Sequence, residues 1–346
     1  MASVKKQTGA WVEAPGPDAE IEFRQIDVPK PGAGEVLVKM EVSGVCHSDH
    51  HSIYGGTPMS THIAGHEGVG RVIQVGSGVT DISLNSRVGV TWLHRACRSC
   101  EICKVDYTHC PRQDNSGRNV PGTFQQYCVA DAAFVTPIPD QVESHIAAPV
   151  LCGGIAVYSA LRKANLKTGD YIVLPGAGGG LGHLGVQIAS SLGYRVIAID
   201  AADKEAVCNQ SGAAHFLDFC KSLDLIADVR ALTDGYGAHA VLCIAGAPSA
   251  YDSAIPMLRN CGRLLCVGIP PPDYLLKVSP FEMLVKGLQV IGATVGNRDQ
   301  MAELMDLVVQ GKLKPIVQMY PFEELETVMK KLKRAEISGR AVLRIA

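Results

Sequence analysis

Four cysteines crowd into one short stretch, Cys97-x2-Cys100-x2-Cys103-x6-Cys110. At that spacing four thiolates can converge on a single zinc ion at about 2.3 Å each, and four soft donors fill its coordination sphere. The expected site is closed and structural, holding a lobe together without touching substrate. An iron–sulfur cluster, a redox switch or four packed core thiols would draw on the same residues, and metal analysis separates these readings. A different chemistry is suggested by Pro175-Gly176-Ala177-Gly178-Gly179-Gly180-Leu181-Gly182, which lies between the apolar run Tyr171–Leu174 and a helical segment reaching Leu192. Glycines let a backbone turn tightly against a pyrophosphate, whose charge is met by amide N–H groups at the helix N-terminus. A strict Gly-x-Gly-x-x-Gly does not fall in register, and the loop is one residue longer. Asp200 closes the next strand candidate, Arg195–Asp200, where a carboxylate accepts both ribose hydroxyls and repels a 2′-phosphate. NAD is therefore expected over NADP. Other soft ligands, Cys46, His66 and Cys152, are dispersed, and spacing alone does not join them. Taken singly, each is as well explained by ordinary packing or hydrogen bonding.

The elements that must position these residues differ along the chain. Residues 20 to 92 hold short Val/Ile-rich segments broken by Gly and Pro, including the nearly alternating Glu35–Val42, so the opening is β-rich. From Asp170 the texture becomes strands alternating with helices: after Arg195–Asp200 come Ala240–Ile244, Arg263–Val267 and Leu288–Ile291, with a helix over Ser249–Leu258. That order predicts a doubly wound α/β sheet with right-handed crossovers. Two further helices, Arg298–Gln310 and Phe322–Ala335, and a last strand, Arg340–Ile345, cannot be assigned to either region by pattern. A chain of 346 residues exceeds the size of one ordinary core, so two domains are expected, divided near Cys152.

Composition excludes several function classes. Formal net charge is −2, and the longest basic cluster, Lys330-Lys331-Leu332-Lys333-Arg334, reads as a solvated helix face, so no nucleic-acid partner is expected. The N-terminus lacks the apolar core of a secretory signal and no apolar run reaches the roughly 18 residues of a membrane span, which predicts a cytoplasmic protein without membrane contact. In that reducing compartment the scattered Cys128, Cys208, Cys220, Cys243, Cys261 and Cys266 read as buried small hydrophobes.

Gly65-His66-Glu67-Gly68-Val69-Gly70 with Gly76, Gly44-Val45-Cys46-His47, Val150-Leu151-Cys152-Gly153-Gly154 and the four-cysteine cluster together resemble the zinc-containing alcohol dehydrogenases of the medium-chain dehydrogenase/reductase superfamily, most closely their fungal, yeast-type branch. The resemblance spans nearly the whole chain. It implies a GroES-like β-rich catalytic domain over 1–152, completed by about 296–346, and a Rossmann NAD-binding domain over 153–295. It implies that Cys46, His66 and Cys152 bind a catalytic zinc, with Glu67 a neighbouring carboxylate and Asp49 the partner that fixes the His66 tautomer. Ser48 and His51 match the family's proton relay, and His47 and Arg340 match residues at the cofactor pyrophosphate. In the loop, Gly176, Gly178, Gly179, Gly180, Leu181 and Gly182 fit the yeast-type Gly-x-x-Gly-Gly-x-Gly variant, with Lys204 reaching the ribose beside Asp200 and Val267 lining the cofactor. His50 matches no family role and is expected to face solvent; His62, His94 and His109 are expected to be structural.

The implied cofactors are NAD and two zinc ions per chain. Trp92 stands at a wall of the family's substrate pocket, whereas Thr57 and Ile269 replace the Trp and Met of ethanol-specific members, so a wider pocket and bulkier, aromatic or branched alcohols and aldehydes are expected. The segment between Cys110 and Gly122 is short and lacks the longer loop of the family's animal dimeric enzymes, so the resemblance implies a homotetramer rather than a dimer. A polyol dehydrogenase of the same superfamily and a non-catalytic NAD- and zinc-binding protein are the rival readings; the latter would bind NADH without alcohol-dependent reduction of NAD.

Overall fold

The longest strand, Glu35–Val45, organises the first of two units in the computed structural model, which describes residues 5–345. Val36 to Val38 are buried in succession, Lys39 is exposed beside buried Met40, and Val42 to Val45 are again buried without interruption, a change from the near alternation of the sequence. Three partners account for this change. Along one edge the N-terminal half pairs antiparallel with Tyr127–Asp131 and the C-terminal half with Arg340–Arg344; along the other runs Gly68–Val75. The sheet continues through Val317–Pro321, parallel to Arg340–Arg344, and through Arg87–Val90 to Thr136–Pro137. The C-terminal strand is drawn into this sheet by Ala341, Val342 and Leu343, all buried, and covering the side chains of Val342 and Leu343 contributes about 1.5–3 kcal/mol each. The segments that pattern could not assign, Arg298–Val309 and Leu325–Lys333, belong to the same unit, and Leu325, Val328 and Met329 join its core. Lys330, Lys333 and Arg334 are exposed, as a solvated helix face requires.

The second unit covers Gly154–Gly296 with Gln310–Lys314. It is a six-stranded parallel sheet whose strands, numbered within the unit, lie in the order three-two-one-four-five-six: His215–Asp218, Arg195–Asp200, Tyr171–Pro175, Ala238–Cys243, Leu258–Cys266 and Gln289–Gly292. Buried positions run continuously along Ile172–Pro175 and Val196–Ile199, as they must where helices cover both faces. The edge strand His215–Asp218 has no counterpart in the sequence reading, because it is half-buried throughout and carries no alternation. Strand order reverses between the first and fourth strands, which opens a crevice at their carboxyl ends where dinucleotides bind in such sheets. Three of the scattered cysteines depart from expectation, Cys266 by being only half-buried. Cys220 and Cys261 are exposed rather than packed, Cys220 in the turn after the edge strand and Cys261 at a left-handed φ of 61°. Among the described residues no single helix is long and apolar enough to cross a membrane.

Candidate active site and metal centres

Cys97, Cys100, Cys103 and Cys110 converge, with their sulfurs all within 4.8 Å of one another. A tetrahedron of 2.3 Å bonds places its sulfurs about 3.8 Å apart, and Cys103 and Cys110 lie 3.7 and 3.6 Å from Cys97. The loop aims amide donors at these sulfurs: the N–H of Cys103 donates to Cys100 at 3.4 Å and that of Arg112 to Cys110 at 3.4 Å. Backbone N–H groups of Ser99 and Cys100 hold the Cys97 thiol down to about 5, and the Arg112 guanidinium donates to its sulfur at 3.1 Å. The donor set fits a closed zinc site.

The dispersed ligands also meet. Cys46 caps the helix His47–Ile53, His66 precedes the strand Gly68–Val75, and Cys152 follows a short 3-10 turn over Ala148–Leu151. Their donor atoms and the Glu67 carboxylate lie within 4.8 Å of one another. The two sulfurs are 4.0 Å apart and His66 Nε2 is 3.2 Å from Cys152, spacings that bracket the roughly 3.5–3.8 Å of a tetrahedral zinc with sulfur and nitrogen donors. Asp49, only 3% exposed, organises the group. Its Oδ1 accepts from His66 Nδ1 at 2.8 Å and from the Gly65 N–H at 3.2 Å, while Oδ2 accepts from the Cys46 N–H at 2.9 Å. With the His66 proton pinned on Nδ1, Nε2 presents a lone pair toward the sulfurs. The Cys152 thiol holds the Cys46 sulfur well below the usual thiol range against the effect of burial, and that same contact together with burial pushes Cys152 up. Glu67 is wholly buried; burial pushes its carboxyl up to about 7, with the Arg340 guanidinium pulling the other way. Arg340 donates to Glu67 Oε1, and Oε2 has no partner.

Around this set the helix His47–Ile53 carries the other polar candidates. Ser48 Oγ lies 3.7 Å from the Cys46 sulfur, and His51 is half-buried, three residues further on. His47 is exposed. His50 is half-buried against Tyr54, with ring centroids 4.6 Å apart, so it does not simply face solvent. Thr57 is half-buried and hydrogen-bonds the Ser52 hydroxyl at 3.2 Å, and Trp92 meets the His66 ring edge-on at 5.2 Å. His62 stacks on Trp11, as a structural histidine does.

In the second unit the glycine-rich turn joins the first strand to the helix Gly182–Ser191. Gly176 holds a φ of 80°, and a Cβ on Gly182 would fall 2.1 Å from the Gly176 carbonyl. A Cβ on Gly178 would meet Lys204 at 2.4 Å. These positions define the frame that a strict motif missed, Gly-x-Gly-x3-Gly, and leave a bare backbone cradle of the kind a pyrophosphate requires. Asp200 closes it: Oδ2 accepts from the Gly178 N–H at 2.8 Å and Oδ1 from the Ala201 N–H at 2.8 Å. Lys204 reaches Asp203 at 3.3 Å. Val267 is half-buried past the end of the fifth strand, its N–H donating to the Cys243 carbonyl at 3.1 Å, and Ile269 beyond it is 54% exposed.

A family profile described as "Alcohol dehydrogenase GroES-like domain" matches residues 32–140, and one described as "Zinc-binding dehydrogenase" matches 180–310. An "Alcohol dehydrogenase" of Schizosaccharomyces pombe is 40% identical over 348 aligned residues, covering 99% of each chain. "Alcohol dehydrogenase 1" of Emericella nidulans is 39% identical, covering 93% of each. The chain belongs to the zinc-containing alcohol dehydrogenases of the medium-chain dehydrogenase/reductase superfamily. Solved structures agree: acetophenone reductase from Geotrichum candidum in complex with NAD superimposes with a TM-score of 0.87 at 29% identity, covering 99% of this chain and 98% of that one. The alcohol dehydrogenase of Aeropyrum pernix gives 0.87 at 28% identity, covering 97% and 99%. This alcohol dehydrogenase is NAD-dependent and its cofactors are NAD and two zinc ions, one suited by each cysteine-containing cluster. Sequence reasoning missed the pairing of Arg340 with Glu67 inside the open cluster. The two stand 273 residues apart, and no spacing signal could have joined them.

Proposed function

We propose that this alcohol dehydrogenase interconverts alcohols bulkier than ethanol, aromatic or branched, with their aldehydes or ketones. The carrying observation is the three-donor set of Cys46, His66 and Cys152, with Trp92 edge-on to His66; Thr57 and Ile269 are assigned to the substrate pocket on family resemblance. Three protein donors would hold zinc and leave a fourth position for the substrate oxygen. When bound, zinc supplies a Lewis acid to that oxygen and NAD supplies the hydride acceptor or donor.

The chain's own residues do the rest. Asp49 fixes the His66 tautomer so that Nε2 remains a donor to metal. Ser48 Oγ, 3.7 Å from the Cys46 sulfur, takes the substrate hydroxyl proton and passes it toward His51 on the same helix. The Asp200 carboxylate, oriented by the Gly178 and Ala201 amides, accepts the ribose hydroxyls and disfavours a 2′-phosphate. Lys204 and Val267 complete the cofactor contacts, and His47 and Arg340 are assigned to the pyrophosphate on family resemblance. The short Cys110–Gly122 segment supports a tetramer, testable by sedimentation, and twelve free cysteines support a cytoplasmic setting.

The test is a panel of ethanol, 1-butanol, benzyl alcohol and 1-phenylethanol, with the matching carbonyl compounds, assayed through NADH absorbance with both nicotinamide cofactors. The reading requires higher kcat/KM for the bulky alcohols than for ethanol. Efficiency greatest for ethanol and falling with size would overturn it.

A further inference from the structure

Gly44 lies against Glu67, the acidic partner of the buried ion pair. It sits in the strand Glu35–Val45, in register with Val342 of the strand that begins at Arg340, and its N–H donates to the Glu67 backbone carbonyl at 3.0 Å. Its φ is outside the left-handed region, so the backbone does not demand glycine there. The Glu67 side chain does. A Cβ built on Gly44 would lie 2.0 Å from Glu67 Oε2 and 3.0 Å from both Cβ and Cδ of the same residue, and these are its three nearest atoms. One oxygen of a fully buried carboxylate therefore occupies the volume that any side chain at position 44 would need. The other oxygen is held by Arg340, and Oε2 has no hydrogen-bond partner. An unpaired buried carboxylate oxygen is costly, and this one lies beside a set of metal-donor atoms that would attract it once a cation is present.

The geometry points to Gly44 as a positioning residue for the reaction: with Arg340 it forms a berth that keeps the Glu67 carboxylate from crowding the position left open by Cys46, His66 and Cys152. The inference rests on that ligand assignment. Filling the berth forces Oε2 out of it, and the metal is the strongest electrophile within reach. The displaced oxygen then competes with substrate and loosens the sulfur and imidazole donors.

The experiment compares the zinc-loaded wild type, Gly44→Ala, Glu67→Ala and the double variant, following zinc released to a chromophoric chelator alongside KM and kcat for an alcohol. Wild type should show two classes of zinc, and Gly44→Ala should speed loss of the labile class by about tenfold or more, leave the slow class unchanged and raise KM more than it lowers kcat. Without Glu67 there is nothing to displace, so adding Gly44→Ala to Glu67→Ala should change release by less than about twofold on the same scale. Release from Gly44→Ala at the wild-type rate, or an equal change in both backgrounds, overturns the inference. Should Gly44→Ala alone fail to fold, the double variant decides: a folded double variant supports the berth, and an unfolded one shows that the strand itself needs glycine. A wild-type enzyme with only one class of zinc would instead remove the ligand assignment, a failure distinct from that of the berth.

Discussion

Asp49→Asn is the sharpest probe of how the open zinc cluster is organised. The carboxylate accepts three hydrogen bonds in a site almost closed to water: two at Oδ1, from His66 Nδ1 and Gly65, and one at Oδ2, from Cys46. An asparagine amide has the same shape but only one acceptor oxygen. If that oxygen stays at Oδ1, the new NH2 group confronts the Cys46 N–H and leaves a buried donor unsatisfied, at about 1–3 kcal/mol. Turning the amide over would orphan two donors instead of one, so the first orientation is preferred. The remaining bond to His66 also loses its charge assistance, and charge-assisted bonds are about twice as strong as neutral ones. Part of this penalty falls on the geometry that presents Cys46 and His66 to zinc, and at about 1.4 kcal/mol per tenfold it corresponds to a loss of about 10–100-fold in zinc affinity. The assay is competition with a chelator of known affinity, read alongside kcat/KM, with zinc at the four-cysteine cluster as an internal control. Affinity of the labile site within about twofold of wild type would refute the argument that Asp49 sets the donor geometry.

Several other outcomes are expected. Replacing His51 by Gln should lower turnover while leaving zinc content intact, and added imidazole should restore part of it; kinetics unchanged by the substitution would remove His51 from the relay. Asp200→Ala removes the carboxylate oriented by Gly178 and Ala201, so KM for NAD should rise about tenfold or more and NADP should become a usable cofactor, both visible in steady-state kinetics. Cys103→Ser opens the four-thiolate cluster and should lower Tm and release its zinc to a chelator, with no shift in substrate preference. Brief alkylation of the zinc-loaded enzyme near neutral pH, read by mass spectrometry with the cluster thiolates covered by metal, should label exposed Cys220 and Cys261 first. It should spare Cys128, Cys208 and Cys243, whose thiols burial pushes up to about 12.

What the sequence revealed and what it concealed follow from how local each signal is. The four-cysteine cluster and the glycine-rich turn are contiguous, so their residue types and spacing expose their chemistry directly, and the strands Tyr171–Pro175 and Arg195–Asp200 announce themselves by unbroken apolar runs. The helix His47–Ile53 left no such trace. Its sequence, His-Ser-Asp-His-His-Ser-Ile, has no amphipathic stripe, because it is held by the Asp49 carboxylate bonding back to the Cys46 N–H rather than by an apolar face. Cys46, His66 and Cys152 come from a helix cap, the approach to a strand and the end of a 3-10 turn, and only resemblance to a family could bring them together on paper.

Least legible was the Arg340–Glu67 pair, since it exists only because the last strand pairs with the C-terminal half of Glu35–Val45. That pairing also explains why pattern could not assign the final segments. The apolar run Ala341–Leu343 marks a strand but not which edge it will choose, and the choice is made where Tyr127–Asp131 stops and leaves Val42–Val45 unpaired on that side. A vacant half-edge in the first fifty residues thus recruits the last ten, and in doing so delivers a guanidinium to the buried Glu67 carboxylate beside the zinc ligands.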